Sequence, residues 1–446
     1  MLPRASRIAR DVSSRRLSAR DALSKAWAQI DARNGRLLAL RSADHERARA
    51  AAAAVDARIA KGETLPLAGV PVVIKDNIAQ AGRVNDAGRK DGCDDPSARD
   101  AVLLARLTQA GAVIVGRANM DELAYGVTGT NVHTGQVRNP WNDAKHPGGS
   151  SAGSAVAVAA GMACLAVGTD TAGSVRIPAA LCGVVGLRPT PGLVPRDGVA
   201  PLASSFDEPG PLAANVADAS LMLAVMAQRP ELTTAATDTT ISLASVRILA
   251  LGGCFATAPT TAVLDATSRA VDVLARLGIT VRDRSIPELA EAPRASGPVI
   301  GAEAAFAWKR QLEQYPAGFG ETVAGLLRKG AAIPALRYLQ ARADCERVAR
   351  AVLAAFDDAD LLVLPTTATT ASDADDPGTQ LVFLALTVPF SIAGVPAISV
   401  PAGFVDGLPV GVQIVARPGG DALLLRVAHA LEQATEGDRG TESDTT

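Results

Sequence analysis

Apolar residues follow two patterns that alternate along the chain: short continuous runs and repeats at helical spacing. Residues 65–74 form an apolar run bounded by Pro and Gly, which is typical of a buried strand. Residues 98–111 are amphipathic at helical spacing, and a second apolar run, 112–115, follows them directly. This order of strand, helix and strand predicts an α/β fold with a parallel or mixed sheet covered by helices.

Helical patterns dominate both ends of the chain. Residues 1–60 are predicted to be mostly helical, with Ser18 and Asp21 spaced as a helix N-cap and its partner. Residues 300–356 are also mostly helical in pattern, with a break at Pro334. Further strands are predicted at 164–168, 245–251, 278–281, 360–364 and 397–400, and further helices at 213–228, 262–277 and 421–434.

The composition of the chain shows no boundary between domains. We find no internal repeat and no linker, so we predict a single domain over residues 1–435. It comprises an N-terminal helical segment, about 1–60, and a catalytic core, about 65–215. Residues 436–446 are polar and lack apolar periodicity, so they are predicted to form a disordered tail.

Composition and charge exclude several classes of protein. The chain has 446 residues with 44 Lys and Arg against 46 Asp and Glu, and only 3% of its residues are aromatic. Near-neutral charge argues against phosphate neutralisation and few aromatics argue against base stacking, so we expect no nucleic-acid partner. The N-terminus lacks the apolar segment of a signal peptide, and the longest apolar stretch, 155–168, is too short for a bilayer, so we expect no membrane association.

Cysteine and histidine usage points to the compartment and argues against a metal centre. Four scattered histidines do not suit a three-His metal site, so we expect no metal. The five cysteines are odd in number and far apart, without a CxxC pair. We therefore expect reduced thiols in a cytoplasmic protein at Cys93, Cys164, Cys182, Cys254 and Cys345.

Lys75 is the first candidate for chemistry. Lysine is scarce beside arginine in this chain, and Lys75 directly follows the apolar residues 72–74. A lysine at the mouth of a buried strand has two interpretations: a solvated strand end, or a buried amine whose lowered pKa makes it a general base. Arginine does not fill the second role, because it does not deprotonate in proteins.

Two segments rich in Gly and Ser carry further candidates. HPGGSSAGS (146–154) fits a phosphate cradle, a flexible loop or a loop that presents a serine, and the missing Gly-Lys-Ser/Thr sequence weakens the first of these. In GTDTAGSVRIP (168–178) a strand runs into a turn that ends at Ser174. Consecutive amides in this turn suit an oxyanion hole with Ser174 as nucleophile. Asp170 and Arg176 flank the turn and are placed to pair; the alternative is a structural turn with a local ion pair.

Eight segments resemble the amidase signature family, over roughly residues 5–435. The central block is highly specific to that family, and the resemblance implies an α/β/α sandwich with a large, mixed, twisted sheet covered by helices. The segments are LAGVPVVIKDNI (67–78), GRANMDELAYG (116–126), RNPWN (138–142), PGGSSAGSAVAVAAG (147–161), GTDTAGSVRIPAALCGVVGLRPT (168–190), DADLLVLPTT (358–367), AGVPAISVPAGF (393–404) and GLPVGVQIV (407–415).

The resemblance implies a Ser–cisSer–Lys triad that hydrolyses a C–N bond without a metal or cofactor. Carried over to this sequence, Ser174 is the nucleophile that forms the acyl-enzyme, Ser150 is the bridging serine after a cis peptide bond, and Lys75 is the base. The implied oxyanion hole consists of the backbone amides of Thr171, Ala172, Gly173 and Ser174, and the implied supporting residues are Asp170, Arg176 and Ser151.

The substrate-binding residues are less specific in pattern. Many family members have Gly where this chain has Ala172, and allophanate-hydrolase-like members share the Ala, whose Cβ narrows the space beside the oxyanion. Gly149, Tyr125, Met120 and the variable region 300–345 are predicted to bind the substrate. For Tyr125 and Met120, an ordinary place in the core fits equally well.

Two subfamilies stand as alternatives to a hydrolase of small amides. NMDELAYG and PAALCGVVGL look like the A subunit of the glutamine-dependent tRNA amidotransferase. That subunit is similar in having an Arg before the PTT motif and an Asp before the last helix, which grip glutamine. The aligned positions here are Cys345 and Gly420, with Arg347 and Asp421 close by.

The other alternative, hydrolysis of allophanate or carboxybiuret, needs a cationic clamp, for which the sequence offers no specific residue. We therefore expect a stand-alone enzyme, monomeric or homodimeric, whose partner is a small uncharged amide, anilide or carbamate substrate.

Overall fold

The computed structural model describes residues 2–92, 94–240, 242–253, 255–374 and 378–442. Over these ranges the chain forms strands β1 Leu40–Ser42, β2 Pro71–Lys75, β3 Val113–Ala118, β4 Leu165–Asp170, β5 Val185–Arg188, β6 Glu208–Ala213, β7 Arg247–Leu251, β8 Thr280–Arg284, β9 Leu361–Pro365, β10 Ala397–Val405 and β11 Leu408–Ala416. Its helices are α1 Ala5–Ser13, α2 Ala19–Leu37, α3 His45–Ala60, α4 Val102–Gln109, α5 Ala152–Ala159, α6 Arg176–Cys182, α7 Val216–Ala227, α8 Thr261–Arg276, α9 Ala292–Gln314, α10 Glu321–Ala331, α11 Ala335–Ala354, α12 Thr379–Leu384, α13 Val388–Ile392 and α14 Asp421–Glu442.

The strands form one mixed sheet in the order β1-β3-β2-β4-β6-β5-β10-β11-β9-β7-β8. Strand β2 is parallel to both of its neighbours, and Ile74 pairs with Arg117 of β3 and with Val167 of β4. Antiparallel pairs run from β4 through β6, β5, β10 and β11 to β9. The mixed sheet that the sequence predicted is therefore confirmed.

Both faces of this sheet are covered, as alternate residues of β9 show. Leu361 and Val363 pack into one core cluster, which also contains residues of α8 and α14. Leu362 and Leu364 pack into a second cluster with residues of α11 and α13. Because successive side chains of a strand point to opposite faces, the sheet lies between two layers of helices, which confirms the predicted sandwich.

Local signals in the sequence are confirmed at several element ends. Ser18 Oγ accepts a hydrogen bond from the Asp21 N–H at the start of α2, as the capping pattern predicts. Pro334 separates α10 from α11 and precedes the first residue of the latter. The run 65–74 is shorter as a strand than its apolar pattern suggests, since β2 begins at Pro71.

Strand β6 was not predicted, because its sequence EPGPLA has the composition of a turn. Pro209 and Pro211 lie in the half of β6 that pairs with β4 alone. Their missing N–H groups therefore remove no backbone hydrogen bond between β6 and β5. Gly210 in between is closely packed, since a Cβ there would meet the Leu187 carbonyl oxygen at 2.0 Å.

Helix α14 extends into the predicted C-terminal tail, since it is described from Asp421 to Glu442. Disorder of the tail 436–446 stays a prediction. Residues 443–446 lie outside the described residues.

Cys164, Cys182 and Cys345 are free thiols, as expected. Burial raises the pKa of all three, so they are unreactive at neutral pH. Cys93 and Cys254 lie outside the described residues. No helix in the described ranges has the length and apolar character needed to cross a membrane.

Candidate active site

Three parallel strands end at one edge of the sheet, and polar residues lie at these ends. Lys75 is the last residue of β2, Thr169 and Asp170 end β4, and Asp121 follows β3 by a few residues. Because β2, β3 and β4 are parallel neighbours, their carboxyl ends come together. In α/β sheets this edge is where ligands commonly bind.

Lys75 is fully buried at this edge. Its Nζ donates a hydrogen bond to Ser150 Oγ at 2.8 Å and another to Thr169 Oγ1 at 2.8 Å. Burial lowers the pKa of Lys75 to about 7, against the opposing negative charges of Asp121 and other carboxylates. A substantial neutral fraction at pH 7 follows, so the amine is able to accept a proton.

Ser150 follows Gly149 through a cis peptide bond, as the resemblance implies. Gly149 has no room for a side chain, because a Cβ there would lie 2.1 Å from Asp121 Oδ2. The next residue, Ser151, donates its N–H to the Ser174 carbonyl at 3.1 Å. The backbone therefore holds the loop that carries Ser150 against the loop that carries Ser174.

Ser174 is buried next to this junction. Among the described residues no hydrogen bond joins Ser174 Oγ to Ser150 Oγ. Lys75 is therefore linked directly to the bridging Ser150, and the predicted nucleophile Ser174 is not hydrogen-bonded to that pair through its side chain. Ser151 Oγ donates to the Thr169 carbonyl at 3.2 Å, which fixes the loop to β4 and agrees with the supporting role that the resemblance implies.

The predicted oxyanion hole needs one correction. The Gly173 N–H donates to Asp170 Oδ1 at 2.8 Å, so this amide is already bonded to a carboxylate and does not face a substrate. No acceptor in the described part of the chain bonds the N–H groups of Thr171, Ala172 and Ser174. These three amides therefore remain the predicted oxyanion hole. Gly173 is required for another reason: its φ is +131°, and a Cβ would meet Thr387 Oγ1 at 2.2 Å.

The pairing of Asp170 with Arg176 is confirmed. Arg176 is fully buried and grips both oxygens of Asp170 at 2.9 Å. Its remaining donors bond Gln413 Oε1, the Thr387 carbonyl and Ser391 Oγ. Burial alone would raise the pKa of Asp170, but the guanidinium holds that pKa well below its usual range. Arg176 thus fixes the turn and has no donor left for a substrate.

An open cavity of about 270 Å³ adjoins this edge. Asp121, Tyr125 and Gly126 line it, together with Gly320 and other residues of the variable region, whereas Lys75, Ser150 and Ser174 do not. Substrate binding by Tyr125 and the region 300–345 therefore stays a prediction. Met120 is fully buried in a core cluster with Trp308, which is the ordinary core place that the sequence left open for it. Gly149 is not among the lining residues, but it packs against Asp121, which is one of them.

Sequence reasoning missed several residues of the site. Thr169 Oγ1 accepts from Lys75 and also from Asn77 Nδ2 at 3.1 Å. Buried Asp207 accepts a hydrogen bond from Thr171 Oγ1. Asp121 lies inside a segment that carries the family resemblance, and the parallel order of β3 and β2 would have brought it next to Lys75. No comparable signal marks Asp207, which lies just before an unpredicted strand.

Among the described residues no cluster of three or more His, Cys, Asp or Glu could hold a metal ion.

The mixed sheet between helices, with a buried lysine hydrogen-bonded to a serine of the Gly/Ser loop, is the arrangement of an amidase signature enzyme. The sequence model of the amidase family matches residues 21–425, and the chain belongs to this family.

Relatives over nearly the full length include a curated protein, the A subunit of the glutamyl-tRNA(Gln) amidotransferase of Moorella thermoacetica. It is 36% identical, and the match covers 95% of each chain. A structure solved as part of a vestigial protein complex, which reveals the origins of an s-triazine catabolic enzyme, matches with a TM-score of 0.90 and 34% identity over 97% of this chain and 99% of that one. The 6-aminohexanoate cyclic dimer hydrolase, solved with its substrate, matches with a TM-score of 0.87 and 29% identity over 97% of both chains.

Proposed function

We propose that this protein hydrolyses the C–N bond of a small uncharged amide, anilide or carbamate through an acyl-enzyme on Ser174. The observation that carries the proposal is the 2.8 Å hydrogen bond from Lys75 Nζ to Ser150 Oγ, beside a turn with free backbone amides. Membership of the amidase family supports an amidohydrolase, and the finer substrate class is our inference.

The contact between Lys75 and Ser150 supports the first step of the proton path, and the family resemblance supplies the step from Ser174. Neutral Lys75 takes a proton from Ser150 Oγ, and Ser150 takes one from Ser174 Oγ as the latter bonds to the substrate carbonyl carbon. The amides of Thr171, Ala172 and Ser174 stabilise the oxyanion that forms. The C–N bond then breaks, the proton passes back through Ser150 to the leaving amine, and water cleaves the acyl ester by the same path.

An uncharged substrate is favoured by what surrounds the turn. Ala172 packs among apolar side chains from α11 and α13, including Val348 and Val388. Cys345, on the same helix as Val348, is buried beside Phe206 and other apolar groups. Arg176 is committed to Asp170, so it does not provide the clamp that an anionic urea such as allophanate needs.

The second candidate is the A subunit of a glutamyl-tRNA amidotransferase, and the name of the curated relative favours it. The side chains near the aligned glutamine anchors argue against it. Arg347 is exposed and pairs with Glu291 and Asp344. Asp421 accepts hydrogen bonds from the Thr190 N–H and Oγ1. Neither side chain is free for the charged groups of glutamine.

Activity without partners separates the two candidates. The purified protein is assayed alone against aliphatic amides, anilides, carbamates, ureas and glutamine, and is labelled with a fluorophosphonate. We expect turnover of a neutral substrate and labelling that Ser174→Ala abolishes and that the exposed control Ser204→Ala retains. Glutaminase activity without hydrolysis of neutral amides would favour the second candidate, and labelling that persists in Ser174→Ala would refute the nucleophile.

A further inference from the structure

Asp121 is a buried carboxylate that the proton path above does not use. Its Oδ2 lies where a side chain on Gly149 would begin, 2.1 Å from an ideal Cβ. Gly149 directly precedes Ser150, whose Oγ accepts the hydrogen bond of Lys75 at 2.8 Å. Carboxylate, bridging hydroxyl and amine therefore belong to one cluster at the ends of β3 and β2.

The hydrogen-bond partners of Asp121 are uncharged. Oδ2 accepts from the Gly129 N–H at 2.9 Å, and Oδ1 accepts from the Thr128 N–H at 3.2 Å and from its hydroxyl. Burial raises the pKa of Asp121 to about 6, opposed by these amides and by the positive charge of Lys75. Asp121 is therefore mostly ionised at neutral pH. Glu122 and His146 line the same cavity.

Lys75 becomes an ammonium each time it takes a proton, and a buried ammonium without a counter-charge is strongly disfavoured. Three carboxylates act on its charge: Asp121, Asp207 and Asp170. Asp170 is neutralised by its double hydrogen bond to Arg176. Asp207 accepts from Thr171 and two backbone amides, and the charge of Arg188 also acts on it.

We propose that Asp121 is a positioning residue whose carboxylate supplies the counter-charge for protonated Lys75 during catalysis. The inference rests on the function proposed above. It goes beyond that function by assigning a role to a residue outside the triad. Unlike Asp170, this carboxylate accepts no hydrogen bond from a guanidinium of the described residues, so its charge stays available to the amine.

The test is the pH dependence of fluorophosphonate labelling at Ser174, which needs no known substrate. Asp121→Asn keeps the shape and removes the charge. We expect the acid limb of the labelling rate to move down by at least about one pH unit, because Lys75 loses a stabilising negative charge. The plateau rate should fall by about tenfold or more, since the ammonium formed in the transition state is no longer balanced. Asp218→Asn, a change in a buried carboxylate bonded to Ala5 and Asn215 away from the site, is the matched control and should leave the acid limb in place.

A purely structural role for Asp121 would lower the plateau and leave the acid limb where it is, and that result would overturn the proposal. Asp121→Ser provides a second uncharged variant should Asp121→Asn fail to fold, and it should shift the limb in the same direction. Failure of the proposed function is distinguishable, because the wild-type protein would then show no labelling at Ser174 at any pH.

Discussion

Replacing Lys75 by methionine removes a buried amine while keeping a side chain of similar length. We expect activity to be lost and the folded protein to become more stable. The amine has a pKa of about 7 in the folded protein, against an ordinary value of 10.5. Between pH 7 and pH 10.5 the unfolded chain therefore binds more protons at this amine than the folded protein does. This difference lowers the free energy of unfolding, and the loss is larger at pH 7 than at pH 10.

The size of the effect follows from the two pKa values. Each pH unit between them corresponds to about 1.4 kcal/mol, so the amine costs the folded state about 4 kcal/mol at pH 7 and about 1 kcal/mol at pH 10. Methionine removes this cost, but Ser150 and Thr169 each lose the hydrogen bond from Lys75, at about 1 kcal/mol each, and Thr169 keeps only its bond from Asn77. The net gain is about 2 kcal/mol at pH 7, and it disappears by pH 10.

Urea unfolding of wild-type protein and Lys75→Met at pH 7, 8.5 and 10 measures the gain, with amide hydrolysis or labelling as the activity readout. Lys25→Met, a change at an exposed lysine of α2, is the control and should leave the midpoint unchanged at each pH. The reasoning is wrong if Lys75→Met is no more stable than wild type at pH 7, or if its advantage does not shrink as the pH rises.

Two further changes test the surroundings of the site. Arg176→Met leaves Asp170 buried without its main partner and should cost about 3–5 kcal/mol of unfolding free energy in urea; an unchanged midpoint would contradict the role given to this pair. Asp421→Ala should lower stability by about 1–2 kcal/mol, because Thr190 loses its acceptor, with kcat/KM for a neutral amide unaltered. A large rise in KM with kcat preserved would instead place Asp421 at the substrate and favour the amidotransferase candidate.

Lys75 and Ser150 were singled out by the family resemblance, because the local pattern left other interpretations open for both, and in the structure the two side chains are hydrogen-bonded. The helix-covered mixed sheet was also predictable, since strand and helix patterns alternate along the chain. The hydrogen bond between the two residues also depends on β2 and β4 being parallel neighbours, because the loop that carries Ser150 is held to β4 by Ser151, and no local pattern states this strand order.

The orientations of individual amides and side chains could not be predicted from the sequence. The N–H of Gly173 points to Asp170 because the turn closes on that carboxylate, and residue identities alone do not fix the direction of an amide. Met120 and Tyr125 lie in one segment and are similar in sequence character, yet only Tyr125 lies at the cavity. Asp121 went unnoticed because its importance arises from Gly149, which has no side chain and so leaves room for the carboxylate.

The reach of Arg176 has a consequence for protein synthesis. Its guanidinium bonds Gln413 on β11, a residue made long after the serine loops have left the ribosome. Until that strand is translated, the arginine has its bonds to Asp170 but not the one that ties the turn to β11. A nascent chain that stalls before β11 therefore carries both serines and the lysine on a sheet that still lacks this strand.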